Sequence, residues 1–178
     1  MNHVKILGVR SMILAAFAMI HAFVAVARYD NSIYAWGVVT LALAAVFAIS
    51  ARVTPGPHTV PTRVMAAASG LVGVVALIGG GVVGPQFLVW TIVAFGVVVG
   101  ISELVAARQG DALPRSDHML LGGASLMLAL ASLIGPLDST WLSGVMVAWA
   151  AIGAVLAGTA SIQWKDQIRH SGDKENDS

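Results

Sequence analysis

Apolar residues in this chain come in long unbroken runs, without the two-residue alternation of a half-buried strand. Spanning the hydrocarbon core of a bilayer as a helix takes roughly 20 mostly apolar residues. Six stretches meet that length, at about 6–27, 32–51, 64–83, 87–107, 118–134 and 141–163. They are rich in Leu, Val, Ala and Gly, and their continuity argues against a transmembrane barrel, whose strands alternate. The pattern predicts an all-α membrane protein of six transmembrane helices, arranged as three helical hairpins over about 6–52, 63–108 and 118–164. The last stretch, 165–178, is charged and nearly free of apolar residues, which predicts a disordered cytoplasmic tail.

Composition sharpens this picture. A soluble domain carries about 25% charged residues, whereas this chain carries 11%, with 57% hydrophobic residues and a mean hydropathy of +0.83. Too little polar surface is left to solvate a water-soluble globule. The formal net charge of +1 gives no reason to expect nucleic acid as a partner, and the absence of cysteine removes disulfides and thiolate chemistry. The implied partner is the lipid bilayer.

Charge placement predicts the topology. With six spans, both termini share one side with the linkers at 52–63 and 108–117. That side holds Lys5, Arg10, Arg52, Arg63, Arg108, Arg115, Lys165, Arg169 and Lys174, nine of the ten Lys and Arg, and only Arg28 lies on the other. Basic residues are retained on the cytoplasmic face, so both termini are expected in the cytoplasm of a cell-membrane protein. Trp36, Trp90 and Trp141 fall near the outer ends of even-numbered spans, where an interfacial aromatic belt is expected. Lys5, Arg10, an apolar run and Ala25-Val26-Ala27 also resemble a cleavable signal peptide. The repeat described next requires the first span and favours its retention.

The even-numbered spans end at Arg52, Arg108 and Lys165, 56 and 57 residues apart. Twelve residues before these stops stand Thr40, Gly96 and Gly153, and eight before them Ala44, Gly100 and Ala157. All three spans therefore carry a small-xxx-small pair in one register, which allows close helix packing where lipid supplies no hydrophobic drive. Trp36 and Trp149 match in register too. Gly84-Pro85 and Gly135-Pro136 mark two outer turns, while the first hairpin turns through Tyr29-Asp30-Asn31. Pro55, Pro57 and Pro61 make the first inner linker stiff and non-helical.

An ionisable residue within a span is by default a functional candidate. Two stand out, His21 slightly outside the midpoint of the first span and Glu103 about one and a half turns inside the Arg108 end of the fourth. Their expected depths differ by about 13 Å at 1.5 Å per residue, so no direct pairing is expected. Glu103 is close enough to the inner surface to pair with Arg108, Arg63 or Arg52. Arg28, Asp30 and Asp138 on the outer face, and Asp111, Arg115 and Asp117 on the inner, read as hydrated turns. The chain has no phosphate-binding loop, zinc-protease helix or nucleophile elbow, and no enzymatic activity, cofactor or metal site is expected.

The stretch Phe95-Gly96-Val97-Val98-Val99-Gly100-Ile101-Ser102-Glu103-Leu104-Val105-Ala106-Ala107-Arg108 resembles a helix end of the HdeD family, short-repeat membrane proteins named for acid resistance. The segment from Met119-Leu120-Leu121-Gly122-Gly123 through Gly135-Pro136 to Gly153 and Lys165 is similar to that family's last hairpin, and Gly8-Val9-Arg10 is the only suggestive piece of the first. The resemblance implies a non-catalytic inner-membrane protein acting in acid or envelope stress. The residues leave two other readings open, an accessory subunit packing its small-residue faces against a larger membrane complex, and a small transporter or channel built from the repeats by self-association.

Overall fold

A computed structural model describes the backbone of residues 3–24, 29–53, 59–80, 84–109 and 115–176. It contains six helices, α1 (His3–Val24), α2 (Tyr29–Val53), α3 (Thr59–Gly79), α4 (Pro85–Gln109), α5 (Arg115–Ile134) and α6 (Ser139–Asn176). All six are long and apolar enough to cross a membrane, and the described residues include no strand. A helix satisfies its own backbone polar groups in a medium that offers none, and residual hydroxyls do the same. Thr40 Oγ1, for example, donates within its own helix to the Trp36 and Gly37 carbonyl oxygens at 2.9 and 3.0 Å.

The ends are set by local chemistry. Pro85 opens α4, where a missing N–H costs nothing, and Phe87 N–H closes the first turn on the Gly84 carbonyl at 3.0 Å. Asp138 caps α6, its Oδ1 accepting from Trp141 N–H at 2.7 Å. The Trp141 indole folds back over Gly135 and donates to the Ala131 carbonyl at 3.1 Å. A Cβ on Gly135 would collide with that indole, which is why the turn needs glycine. At the other end α6 runs helical to Asn176, where the sequence reading expects disorder from residue 165. Extending a formed helix by one residue is far easier than nucleating one, so α6 carries its hydrogen bonding past the apolar stretch. The expectations for Arg28, the Ala25–Ala27 motif, Pro55, Pro57 and Asp111 fall outside the described residues.

Each helix packs against its neighbours in chain order, and α6 packs back on α1, closing a ring. The most extensive contacts join α2 to α3, α4 to α5 and α1 to α6, rather than the two helices of each expected hairpin. Small residues explain the preference. Gly37 and Gly73 face one another across α2 and α3, and a Cβ on either would stand 3.2 or 3.0 Å from the other's carbonyl oxygen. Gly100 and Gly122 do the same across α4 and α5, at 3.0 and 2.9 Å. Between α1 and α6, Ser11 Oγ donates to the Ala154 carbonyl at 2.8 Å.

The outside of the ring is as apolar as its interior. Met12, Leu71, Ile78, Met127 and Val155 are all largely exposed, and so continuous an apolar exterior suits lipid rather than water. The interior is filled by Leu14, Ile33, Trp36, Leu43, Leu88, Ile92, Phe95, Leu128, Leu142 and Met146, each essentially inaccessible. Trp36 is thus not part of an interfacial belt. It is 0% exposed, against 62% for Trp90 and 40% for Trp141, because its position on α2 faces the ring's axis.

Candidate functional site

Glu103 lies on the inward stripe of α4, one to two turns beyond Phe95 and Val99, and is 0% exposed. A carboxylate so placed loses its hydration and is tolerable only with compensating partners. The structure supplies two. Arg10 Nη2 of α1 donates to Glu103 Oε1 at 2.7 Å, and His118 Nδ1 of α5 lies 2.6 Å from Oε2. Both distances are those of charge-assisted hydrogen bonds. With Oε2 in carboxylate form, the proton in the second bond sits on Nδ1.

The partners are buried in turn, Arg10 at 8% exposure and His118 at 3%. The Arg10 guanidinium lies 4.9 Å from the centroid of the Phe47 ring on α2, which adds a cation–π contact to the ion pair. Arg10 and Glu103 do not belong to neighbouring helices, since α1 and α4 stand opposite one another in the ring. Their bridge crosses the interior at the end where α1 begins and α4 finishes. The surrounding cations Arg52, Arg63, Arg108 and Arg115 are exposed, so Glu103 does not pair with Arg108, Arg63 or Arg52 as the sequence suggests. Those side chains can reach water, and a buried carboxylate gains most from partners that are equally desolvated.

His21 lies in the last turn of α1, at the opposite end of the same inward stripe as Arg10, Leu14 and Phe17. It is 0% exposed and stacks on Phe17, with ring centroids 4.8 Å apart. Neither ring nitrogen has a hydrogen-bond partner among the described residues. Near the starts of α2 and α6, at the same end of the ring, the Ser32 and Ser143 hydroxyls meet at 3.2 Å. At 1.5 Å per residue, His21 stands about 16 Å along α1 from Arg10, so the structure does not bring it to Glu103.

Between these two polar ends lies an aromatic layer. Trp36 of α2, Phe95 of α4 and Trp149 of α6 form a triangle with centroid separations of 5.0, 5.3 and 5.9 Å, every pair edge to face. Phe17 joins it from α1 at 6.3 Å from Trp36. Trp149 Nε1 donates to Ser125 Oγ of α5 at 3.1 Å, whereas Trp36 Nε1 is buried without a partner among the described residues.

The small residues read from the repeat distribute around this axis. Thr40, Gly96, Gly100, Gly153 and Ala157 are buried and Ala44 is half-buried. Gly96 faces Ser125 and Ala129 of α5, Gly100 faces Gly122, Gly153 meets Leu14 of α1, and Ala44 lies opposite Gly70 of α3. Sequence reasoning missed Arg10, which it counted only among the cytoplasmic basic residues, and His118, which it took only as the first residue of the fifth span. The available signal was helical phase, because Arg10, Leu14, Phe17 and His21 recur at intervals of three and four.

No group of acidic, histidine or cysteine side chains among the described residues is arranged to hold a metal ion. Comparison with protein families, with curated proteins and with solved structures finds no match to this chain.

Proposed function

We propose that this chain is a small, non-catalytic, multi-pass protein of the cell membrane that acts in acid or envelope stress, with the Arg10–Glu103–His118 cluster as its proton-responsive element. The observation that carries the reading is a carboxylate held in a dry site between a guanidinium and an imidazole. One added proton, on either the carboxylate or the imidazole, leaves that site with an uncompensated positive charge, which is costly where water cannot screen it. Protonation at this site therefore breaks the cross-ring bridge, which links it to acid. The resemblance to the HdeD family supports the same reading, as does the registered three-fold pattern of small residues.

The test is survival after an acid challenge of cells lacking the gene. Deletion should lower survival, wild-type chain should restore it, and Glu103→Gln, present in membranes at the wild-type level, should not. Undiminished survival of the deletion strain overturns the stress role.

One observation favours a second reading as an accessory subunit. Gly144, Trp141, Val145, Ala148 and Pro136 line an outward-facing hollow of about 620 Å³, and a side chain at Gly144 would meet nothing. Recovery of the tagged chain from mild detergent in fixed ratio with a larger assembly would favour that alternative.

A further inference from the structure

By the extent of their packing the six helices form three pairs, α1 with α6, α2 with α3 and α4 with α5. The seams between pairs are less extensive, least of all α1 against α2 and α5 against α6. Two side-chain clusters nevertheless join all three pairs. One is the aromatic triangle, to which each pair contributes one ring, Trp149, Trp36 and Phe95 respectively. The other is ionic. Arg10 of the first pair bonds Glu103 of the third and lies over Phe47 of the second, while His118 holds Glu103 from within its own pair. Buried apolar side chains separate the two clusters, Leu14 on α1, Leu43 on α2 and Val99 on α4. We propose that the ring is a clasp on a pivot. The Arg10–Glu103–His118 cluster holds the inner ends of the three helix pairs together. Loss of its charge balance lets those ends part about the Trp36–Phe95–Trp149 triangle.

The two clusters answer differently to charge. The triangle has no titratable group, and its edge-to-face contacts are indifferent to acid. The ionic cluster is neutral as a whole when Glu103 is a carboxylate and His118 an uncharged imidazole. Cancelling the carboxylate charge, by a proton or by substitution, leaves the Arg10 guanidinium buried and unmatched. Such a charge is relieved by water, and water enters only where packing gives way. The seams give way more readily than the pairs. Gly37 and Gly73 bring α2 and α3 into close approach, and Gly100 and Gly122 do so for α4 and α5. The Ser11 bond to Ala154 fastens α1 to α6. Arg10 already stands short of partners, since its Nε is buried with none among the described residues. The apolar layer and the triangle keep entering water on the inner side.

Few other charges face the cluster. Lys5 of α1, Arg52 of α2, Arg63 of α3, Arg108 of α4 and Arg115 of α5 are exposed, and Asp117 of α5 is half-buried. None of the described side chains of α6 is charged. On α4, Gln109 lies 14 residues beyond Phe95, about 21 Å at 1.5 Å per residue. A tilt of about 10°, within the ordinary scatter of helix crossing angles, therefore moves the inner end by about 4 Å.

The lack of native cysteine allows paired spin labels on the full chain in lipid nanodiscs. Val53→Cys with Gln109→Cys reads the inner gap between two pairs. Gln109→Cys with Ser116→Cys reads an inner distance within one pair, and Gln86→Cys with Thr140→Cys an outer gap. Two treatments should lengthen the inner gap by about 4 Å or more and leave the other distances unchanged. One is Glu103→Gln in neutral buffer. The other is acidification of the wild-type cluster from about pH 7 to about pH 4, across the ordinary imidazole and carboxylate ranges. Replacing the whole cluster, by Arg10→Met, Glu103→Leu and His118→Leu together, should keep the gap short throughout. Each variant is first checked for wild-type size and helicity in detergent, and the acidified wild type decides the matter where Glu103→Gln does not fold. An inner gap that neither treatment lengthens overturns the clasp. So does an outer gap that lengthens equally, or an opening in acid that Glu103→Gln does not reproduce or that persists without the cluster. The acid arm rests on the proton-responsive reading above. Opening with Glu103→Gln but not in acid supports the clasp and overturns that reading, while acid survival is scored separately.

Discussion

The charge on Glu103 is held by geometry that its own helix does not provide. Removing it leaves Arg10 buried with its positive charge unmatched, which typically destabilises a protein by about 3–5 kcal/mol. Glu103→Leu should therefore lower the unfolding temperature in detergent markedly. Arg10→Met combined with Glu103→Leu should melt above the Glu103→Leu variant, because an apolar pair of similar volume replaces the ion pair at little cost. A double variant no better than Glu103→Leu would mean that the guanidinium is not the partner that matters. His21 differs in kind, since it makes no bond whose loss could be measured this way.

Among the elements, the close approach of α4 to α5 depends on glycine at two successive contact points. A Cβ on Gly96 would stand 2.5 Å from the Ser125 carbonyl oxygen, and a rigid backbone atom cannot give way as a flexible side chain can. Gly96→Ala should cost about 1–3 kcal/mol, the range for overpacking a well-filled interior. Gly123→Ala, one residue from the Gly100–Gly122 contact but with nothing within 4 Å, should stay within about 0.5 kcal/mol of wild type. Thermal unfolding of the two variants side by side measures the difference. The registered small residues were legible in sequence, and which helix each would face was not. Gly96 and Gly100 pack on α5, the next helix in the chain, rather than on α3, their partner in the expected hairpin, because the matching glycine and alanine positions are on α5.

At the level of the whole molecule, the ring has one end rich in exposed arginine and another with little charge. The distribution of basic residues predicts that the first of these faces the cytoplasm. The chain's lack of cysteine makes the test direct. Single Gly84→Cys and Asp138→Cys variants should react with a membrane-impermeant thiol reagent added to intact cells. Gly56→Cys and Asp111→Cys should react only after the membrane is opened. The reverse pattern would invert the bundle and place the Glu103 cluster at the outer face, leaving its internal geometry unchanged.

The number of spans followed from the sequence because it is a matter of length and hydropathy, properties that each segment carries alone. The same local logic identified Glu103 and His21 as unusual, since a titratable group in an apolar run stands out without any knowledge of its neighbours. Pairing obeys a different physics. Arg10 and His118 lie 93 and 15 residues from Glu103, and only closure of the ring decides that these groups, rather than Arg52, Arg63 or Arg108, meet it away from water. The burial of Trp36 was hidden for a similar reason, because a tryptophan near a span end suits either an interface or an axis. Tertiary structure chose the axis, where Trp36, Phe95 and Trp149 from three separate helices fill a space that no one of them could close.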